Sequence, residues 1–77
     1  MSADIPVAGH QILCTLDKVL LDRGMTLTEL SERVGVTLAN LSILKNNRAK
    51  AIRFSTLTAI CVALDCDVAD LIRFEKS

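Results

Sequence analysis

Hydrophobic residues along this chain recur at helical spacing in several short blocks, each closed by a residue that ends helices. The first block runs from Leu16 to Arg23 with leucine and valine on one stripe, and it stops before Gly24. Residues 12–15, which combine β-branched side chains with a cysteine, precede it and can form a short extended segment. The pattern therefore predicts a helix over 16–23, and it is compatible with a short strand before that helix.

The next two blocks are short helices joined by a turn. Thr26 precedes the apolar positions of the second helix and Glu29 lies three residues further on, which is the spacing of a capping box. Gly35 ends that helix, because glycine reaches the left-handed conformation without steric cost. Thr37 then caps a third helix that extends from residue 38 to residue 46 or 47. Two short helices with a glycine turn between them are typical of a helix-turn-helix.

A polar, basic loop and two further helices complete the chain. Asn47 suits the left-handed position of this loop, because asparagine tolerates positive φ better than most residues. Ser55 or a neighbour caps a fourth helix, and residues 65–67 end it. Asp67 caps a last short helix over 68–72, and the final residues form either a frayed end or a short strand paired with residues 12–15. The sequence predicts an all-α fold, a compact bundle of about five short helices, with paired terminal strands as an option.

The length of 77 residues limits the chain to one small domain. We interpret residues 1–11, which mix small and helix-breaking residues, as a flexible N-terminal arm and residues 12–77 as the folded domain. No apolar run reaches the roughly 18 residues that a membrane span needs, and the N-terminus lacks the regions of a signal peptide. We therefore expect no membrane partner and a cytoplasmic location.

Catalysis and metal binding find little support in the sequence. Three cysteines without a C-x-x-C pair, and His10 as the only histidine, favour thiols packed as small hydrophobic residues over a disulfide framework or a zinc site. The serines have no histidine–acid partner at sensible spacing, which argues against a hydrolase. The aspartates of residues 65–70 fit helix capping better than a cation site. We predict no enzyme activity, no cofactor and no metal.

Charge is balanced in total but unevenly distributed. The chain has 9 basic and 9 acidic residues, yet residues 33–64 hold no acidic residue at all. The basic residues of that window are Arg33, Lys45, Arg48, Lys50 and Arg53. This asymmetry favours one face that meets an anion. An aromatic content of 3% argues against a single-stranded nucleic acid, which is held by stacked aromatic rings.

A DNA duplex is the anion that the helix-turn-helix pattern indicates. The capped start of the second helix and the basic loop both offer donors to phosphate. The candidates for phosphate contact are Thr26, Thr28, Lys45, Asn46, Arg48, Lys50 and Arg53. The outer, N-terminal half of the third helix is the part that lies in the major groove in a helix-turn-helix. The candidates for base reading there are Thr37, Leu38, Ala39, Asn40, Ser42 and Ile43.

The order of these motifs resembles the Cro- and phage-repressor-type helix-turn-helix regulators over residues 12–74. The chain has T-x-x-E-L-x-x-x-x-G-V in the second helix and turn, LSxLKN in the third helix, and TLxxIxxALxxxxxDL over the last two helices. Its loop, LKNxxxKAIRFSTL, is similar to that of a small single-domain subgroup. The resemblance implies a five-helix fold, binding to double-stranded DNA, and action as a homodimer on an operator with two half-sites.

The resemblance also implies roles for individual residues. Its groove-reading positions fall on Thr37, Leu38, Ala39, Asn40 and Ile43. Its phosphate-contacting positions fall on Thr26, Thr28, Asn46, Arg48, Lys50 and Arg53. Where this chain has apolar residues at 38, 39 and 43, the family often has long polar side chains, and where it has Asn47 the family commonly has glycine. Leu38 and Ile43 fit contacts with thymine methyl groups, but they fit core or dimer contacts as well.

Two hypotheses follow from the sequence. The leading one is a sequence-specific, double-stranded DNA-binding transcriptional regulator, with repression as the favoured action and a recognition helix at about 38–46. The alternative is a protein-interaction module on the same fold, such as an antitoxin-like or anti-repressor subunit with weak DNA binding. A hydrophobic content of 51% and the apolar third helix favour that alternative. The expected partners are double-stranded DNA and a second copy of the chain, with a regulatory protein partner left open.

Overall fold

The computed structural model describes residues 12–75, which form five short helices framed by two short strands. The helices are α1 (Leu16–Arg23), α2 (Leu27–Val34), α3 (Leu38–Lys45), α4 (Phe54–Leu64) and α5 (Val68–Leu71). Strand β1 (Ile12–Cys14) precedes α1 and strand β2 (Ile72–Phe74) follows α5. The strands pair antiparallel, with Ile12 opposite Phe74 and Cys14 opposite Ile72. The predicted helical bundle with paired terminal strands is confirmed, while the predicted arm over residues 1–11 lies outside the described residues.

Aliphatic side chains from every helix meet in one core. The buried residues are Leu16, Val19, Leu20, Leu30, Leu41, Leu57, Ile60, Leu64 and Leu71. Each of them is a position that the helical spacing assigns to an inward stripe. Complete burial of such a side chain stabilises a fold by about 1.5–3 kcal/mol. Among residues 12–75 no polar or charged side chain is buried, so the described core depends on these apolar contacts.

Left-handed residues end α1, α2 and α4, and another lies in the loop after α3. Gly24 and Gly35 have φ angles of 66° and 72°, and each directly follows the helix that it was predicted to end. Asn47 has a φ of 62°, as its position in the loop predicted. Asp65 ends α4 with a φ of 51°, and Arg23 of α1 donates to the backbone carbonyl oxygen of this residue at 3.0 Å. The sequence indicated that α4 ends there, but not that α1 would hold its end.

Three predicted boundaries shift by one or two residues. We expected Ser55 or a neighbour to cap the fourth helix, and the N-cap is Arg53. The Leu57 N–H donates to the Arg53 carbonyl oxygen at 3.0 Å, so the helix starts one turn before this core leucine. The third helix ends at residue 45, not at 46 or 47. The last helix stops before Ile72, whose extended backbone begins β2.

The start of α2 carries the predicted capping box. The Thr26 hydroxyl accepts from the Glu29 N–H at 3.1 Å, and the Glu29 carboxylate accepts from the Thr26 N–H at 3.0 Å. The bonds that Thr26 donates, first from its backbone and then from its hydroxyl, lower the pKa of Glu29. The pair satisfies two of the N–H groups that a helix start leaves without partners.

We expect Glu29→Gln to lower the free energy of unfolding at neutral pH and to change it less in acid. Because the pKa of Glu29 is lowered on folding, its carboxylate adds stability above the unfolded-state pKa, and this stability disappears as the pH falls through the folded-state pKa. Urea unfolding of both proteins at several pH values measures the difference. Glu32→Gln on the same helix is the control, and a difference that grows towards acid would contradict this account.

Candidate nucleic-acid interface

Two side-chain hydrogen bonds fix the turn between α2 and α3. The Ser31 hydroxyl donates to the Val36 carbonyl oxygen at 2.6 Å. The Thr37 hydroxyl accepts from the Asn40 N–H at 3.2 Å, so Thr37 caps α3 as predicted. Leu30 of α2 and Leu41 of α3 are both buried, so the two helices are also held through the core.

Helix α3 buries one side and exposes the other. Leu41 is 1% exposed, whereas Leu38 and Ile43 are each 45% exposed. This exposure excludes the core interpretation of Leu38 and Ile43 that the sequence left open. At 3.6 residues per turn, Ala39 and Ile43 lie one turn apart on the side opposite Leu41. Of the six predicted base readers, five are exposed and Ser42 is half-buried.

A groove of about 750 Å³ runs between α3 and the loop of residues 46–53. Its α3 side includes Thr37, Asn40 and Ile43, which are predicted base readers. Its loop side includes the exposed cations Arg48, Lys50 and Arg53. Positive charge along one wall of a groove raises the local concentration of an anion. The fold thus brings three predicted readers and three predicted phosphate contacts to one surface.

The other predicted phosphate contacts lie away from this groove or have partners within the chain. The Lys45 Nζ is 3.5 Å from a carboxylate oxygen of Asp17 on α1. The side-chain N–H of Asn46 donates to the Ser42 hydroxyl at 3.3 Å. An exposed ion pair of this kind contributes about 0–1 kcal/mol, so Lys45 is held only weakly. The remaining two are exposed at the start of α2: Thr26 and Thr28.

Asn47 has a role that the sequence did not reveal. Its Oδ1 accepts from the backbone N–H of Cys14 at 2.5 Å, which ties the loop after α3 to β1. Glycine would fit the left-handed backbone at this position but has no side chain to make the bond. The structure therefore gives a physical reason for asparagine where the resembling family commonly has glycine.

The thiols and the acidic residues fit structural roles. Cys14, Cys61 and Cys66 are free, half-buried thiols that pack against the core. Burial raises the pKa of Cys14 and of Cys66, and the neighbouring Cys61 thiol raises that of Cys66 further. Asp67 and Asp70 form a capping box at the start of α5, which confirms the predicted cap. Within residues 12–75 no cluster of three metal-binding side chains occurs, and no helix is long and apolar enough to span a membrane.

The architecture of α2, turn and α3, with a basic groove beside α3, defines a small helix-turn-helix domain. The family model of Cro/C1-type HTH DNA-binding domains matches residues 15–77. The chain belongs to this family, whose members bind DNA and are not enzymes. The resemblance and the DNA-binding class inferred from the sequence are confirmed.

Named relatives agree with this assignment. The chain is 59% identical over 65 residues to the uncharacterized HTH-type transcriptional regulator YozG of Bacillus subtilis (strain 168), covering 84% of this chain and 77% of that protein. The solved structure of the transcriptional regulator VanUg matches with a TM-score of 0.74 and 31% identity, over 96% of this chain and 97% of that chain.

SinR, described as the master regulator for biofilm formation, provides a DNA-bound structure. That complex matches with a TM-score of 0.64 and 26% identity, over 69% of this chain and 84% of that chain. A complex of SinR with SinI matches with a TM-score of 0.65 and 26% identity over 70% of this chain. In that comparison this chain spans only about half of the length of the matched chain, 52%.

Proposed function

We propose that this protein is a sequence-specific transcriptional regulator that binds double-stranded DNA with α3 as its recognition helix. The observation that carries the proposal is the groove in which the exposed side of α3 meets Arg48, Lys50 and Arg53. Helix α3 has 8 residues and is therefore about 12 Å long. The major groove of B-DNA is about 12 Å wide and admits a helix of this kind.

In this proposal two surfaces on either side of α3 hold the phosphate backbone. The loop contributes Arg48, Lys50 and Arg53, and the start of α2 contributes Thr26 and Thr28. Asn46 and Lys45 contact Ser42 and Asp17 in the free chain, but an amide and an ammonium group have further N–H donors for phosphate. An exposed ion pair contributes about 0–1 kcal/mol, so moving Lys45 away from Asp17 costs little. The base readers are then the exposed residues of the α3 start: Thr37, Leu38, Ala39, Asn40 and Ile43, with Ser42 at the edge.

We further propose that the protein binds as a homodimer to an operator with two half-sites and acts as a repressor. Phe54 and Phe74 are 84% and 64% exposed, and such large apolar side chains are available to a second copy. Repression needs only occupancy of a promoter, which DNA binding itself supplies. A DNA target supports a cytoplasmic location for the protein. Because the similar protein SinR forms a complex with SinI, a regulatory protein partner is also proposed. Sedimentation of the protein with its operator tests the dimer, since two chains should bind each operator.

We expect Asn40→Ala to lose about 1–3 kcal/mol of discrimination at a single base pair. Asn40 is exposed at the start of α3, and asparagine pairs through two hydrogen bonds with adenine in the major groove. A selection from random duplexes gives the preferred site, and anisotropy with every single base-pair change then maps the loss. Asn46→Ala provides the contrast, because removal of a phosphate donor should weaken all sequences alike. An unchanged site preference in Asn40→Ala removes Asn40 from the readers.

A further inference from the structure

The outermost side of α3 is apolar. Ala39 and Ile43 lie one turn apart there, and Ile43 is 45% exposed although it lines a groove that also holds three cations. An apolar strip with three cations along one side fits a partner that offers apolar groups beside a row of anions, and a DNA major groove does so.

The thymine C5-methyl is the apolar group that unmodified bases present in the major groove. Resting on the function proposed above, we propose that Ala39 and Ile43 read thymine methyl groups, so that each half-site contains two thymines that the protein recognises by contact and not by hydrogen bonding. Asn40, beside this strip, supplies a polar contact suited to adenine.

The spacing of the two side chains sets the spacing of the two methyl groups. Four residues along α3 correspond to about 6 Å, while successive base pairs are about 3.4 Å apart. With α3 along the groove, the two recognised methyl groups therefore lie about two base steps apart. The loss of one buried methyl contact corresponds to about a fourfold loss of affinity, and the loss of both to roughly 15-fold.

Deoxyuridine in place of thymidine tests the proposal, because it removes the methyl group and keeps both hydrogen-bonding edges of the base pair. The wild-type protein is titrated by anisotropy against its selected duplex, against the fully substituted duplex, and against duplexes with single substitutions. We expect a loss of affinity concentrated at two positions of each half-site, and no change for a random duplex.

Ile43→Ala assigns one of these positions to a side chain. In this variant the loss at one thymine should disappear while the loss at the other persists, since only one of the two contacts has been removed. A change in DNA shape caused by deoxyuridine would instead act equally on both proteins. Val62→Ala is the matched control, because Val62 is a 76% exposed aliphatic residue of α4 outside the groove. Val62→Ala should lose affinity at both deoxyuridine positions, as the wild-type protein does.

Each outcome decides between the proposals. Equal affinity for the thymidine and deoxyuridine duplexes, with selective binding intact, overturns methyl reading and leaves the proposed function standing. Losses that remain unchanged in Ile43→Ala overturn it as well. The absence of selective binding to any duplex overturns both the methyl reading and the proposed function.

Discussion

Joint replacement of Arg48 and Lys50 by alanine will weaken binding to every DNA duplex, whatever its sequence. Both cations are exposed in the loop wall of the groove and are proposed to contact phosphate. Each phosphate contact contributes about −0.9 to the slope of log affinity against log salt, so the slope should become shallower by about two for each bound chain. If this contribution vanishes near 1 M salt, the loss at 0.1 M salt is roughly 60-fold for each bound chain.

The matched control removes the same charge elsewhere on the chain. Lys18→Ala with Arg73→Ala takes two exposed cations from outside the groove. This double variant should keep a salt slope close to that of the wild type. Equal losses in the two double variants would mean that net charge, and not the groove, drives binding, and would contradict the assignment of the loop.

Leu30→Ala will have the largest effect on stability. Leu30 is 0% exposed and is the buried residue of α2, so its truncation leaves a cavity beneath the helix-turn-helix. Leu→Ala replacements in cores cost about 2–5 kcal/mol. For a domain of this size each 1 kcal/mol lowers Tm by about 4–8 °C, so a fall of at least roughly 8 °C is expected.

Thermal and urea unfolding followed by circular dichroism measure this loss. Leu21→Ala is the control, because it removes the same atoms from a helical leucine that is 81% exposed. Its effect should stay within about 0.5 kcal/mol. A loss below about 1 kcal/mol in Leu30→Ala would contradict the packing of α2 against the core.

The helices could be predicted from the sequence because local chemistry determines where they begin and end. The capping box of Thr26 and Glu29, and the glycines at 24 and 35, act through neighbours within a few residues. The start of α4 was predicted less well, because the visible capping signal is not the one used. Ser55 offers a capping hydroxyl, but the N-cap lies two residues earlier, at Arg53, where no side chain caps and the Arg53 carbonyl oxygen accepts from the Leu57 N–H.

The surface of the candidate site could not be predicted in detail, because it includes contacts between residues that are far apart in sequence. The hydrogen bond from Cys14 to Asn47 joins residues 33 apart in sequence, and the pairing of Lys45 with Asp17 likewise crosses from α3 to α1. Helix α3 is apolar on several sides, so periodicity assigned Leu41 to the core but left open whether Leu38 and Ile43 are buried or exposed. Packing against the core makes that distinction, and packing becomes visible only in the folded chain.

The central claim is that this chain binds double-stranded DNA through α3 and the loop of residues 46–53. A salt titration by fluorescence anisotropy, with a random duplex and with the duplex upstream of the protein's own gene, tests it most directly. We predict a log–log slope of about −3 or steeper, as three loop cations on phosphate require, and tighter binding to the upstream duplex. No binding to either duplex at low salt would contradict the claim, and the exposed face of α3 would then be a surface for a protein partner.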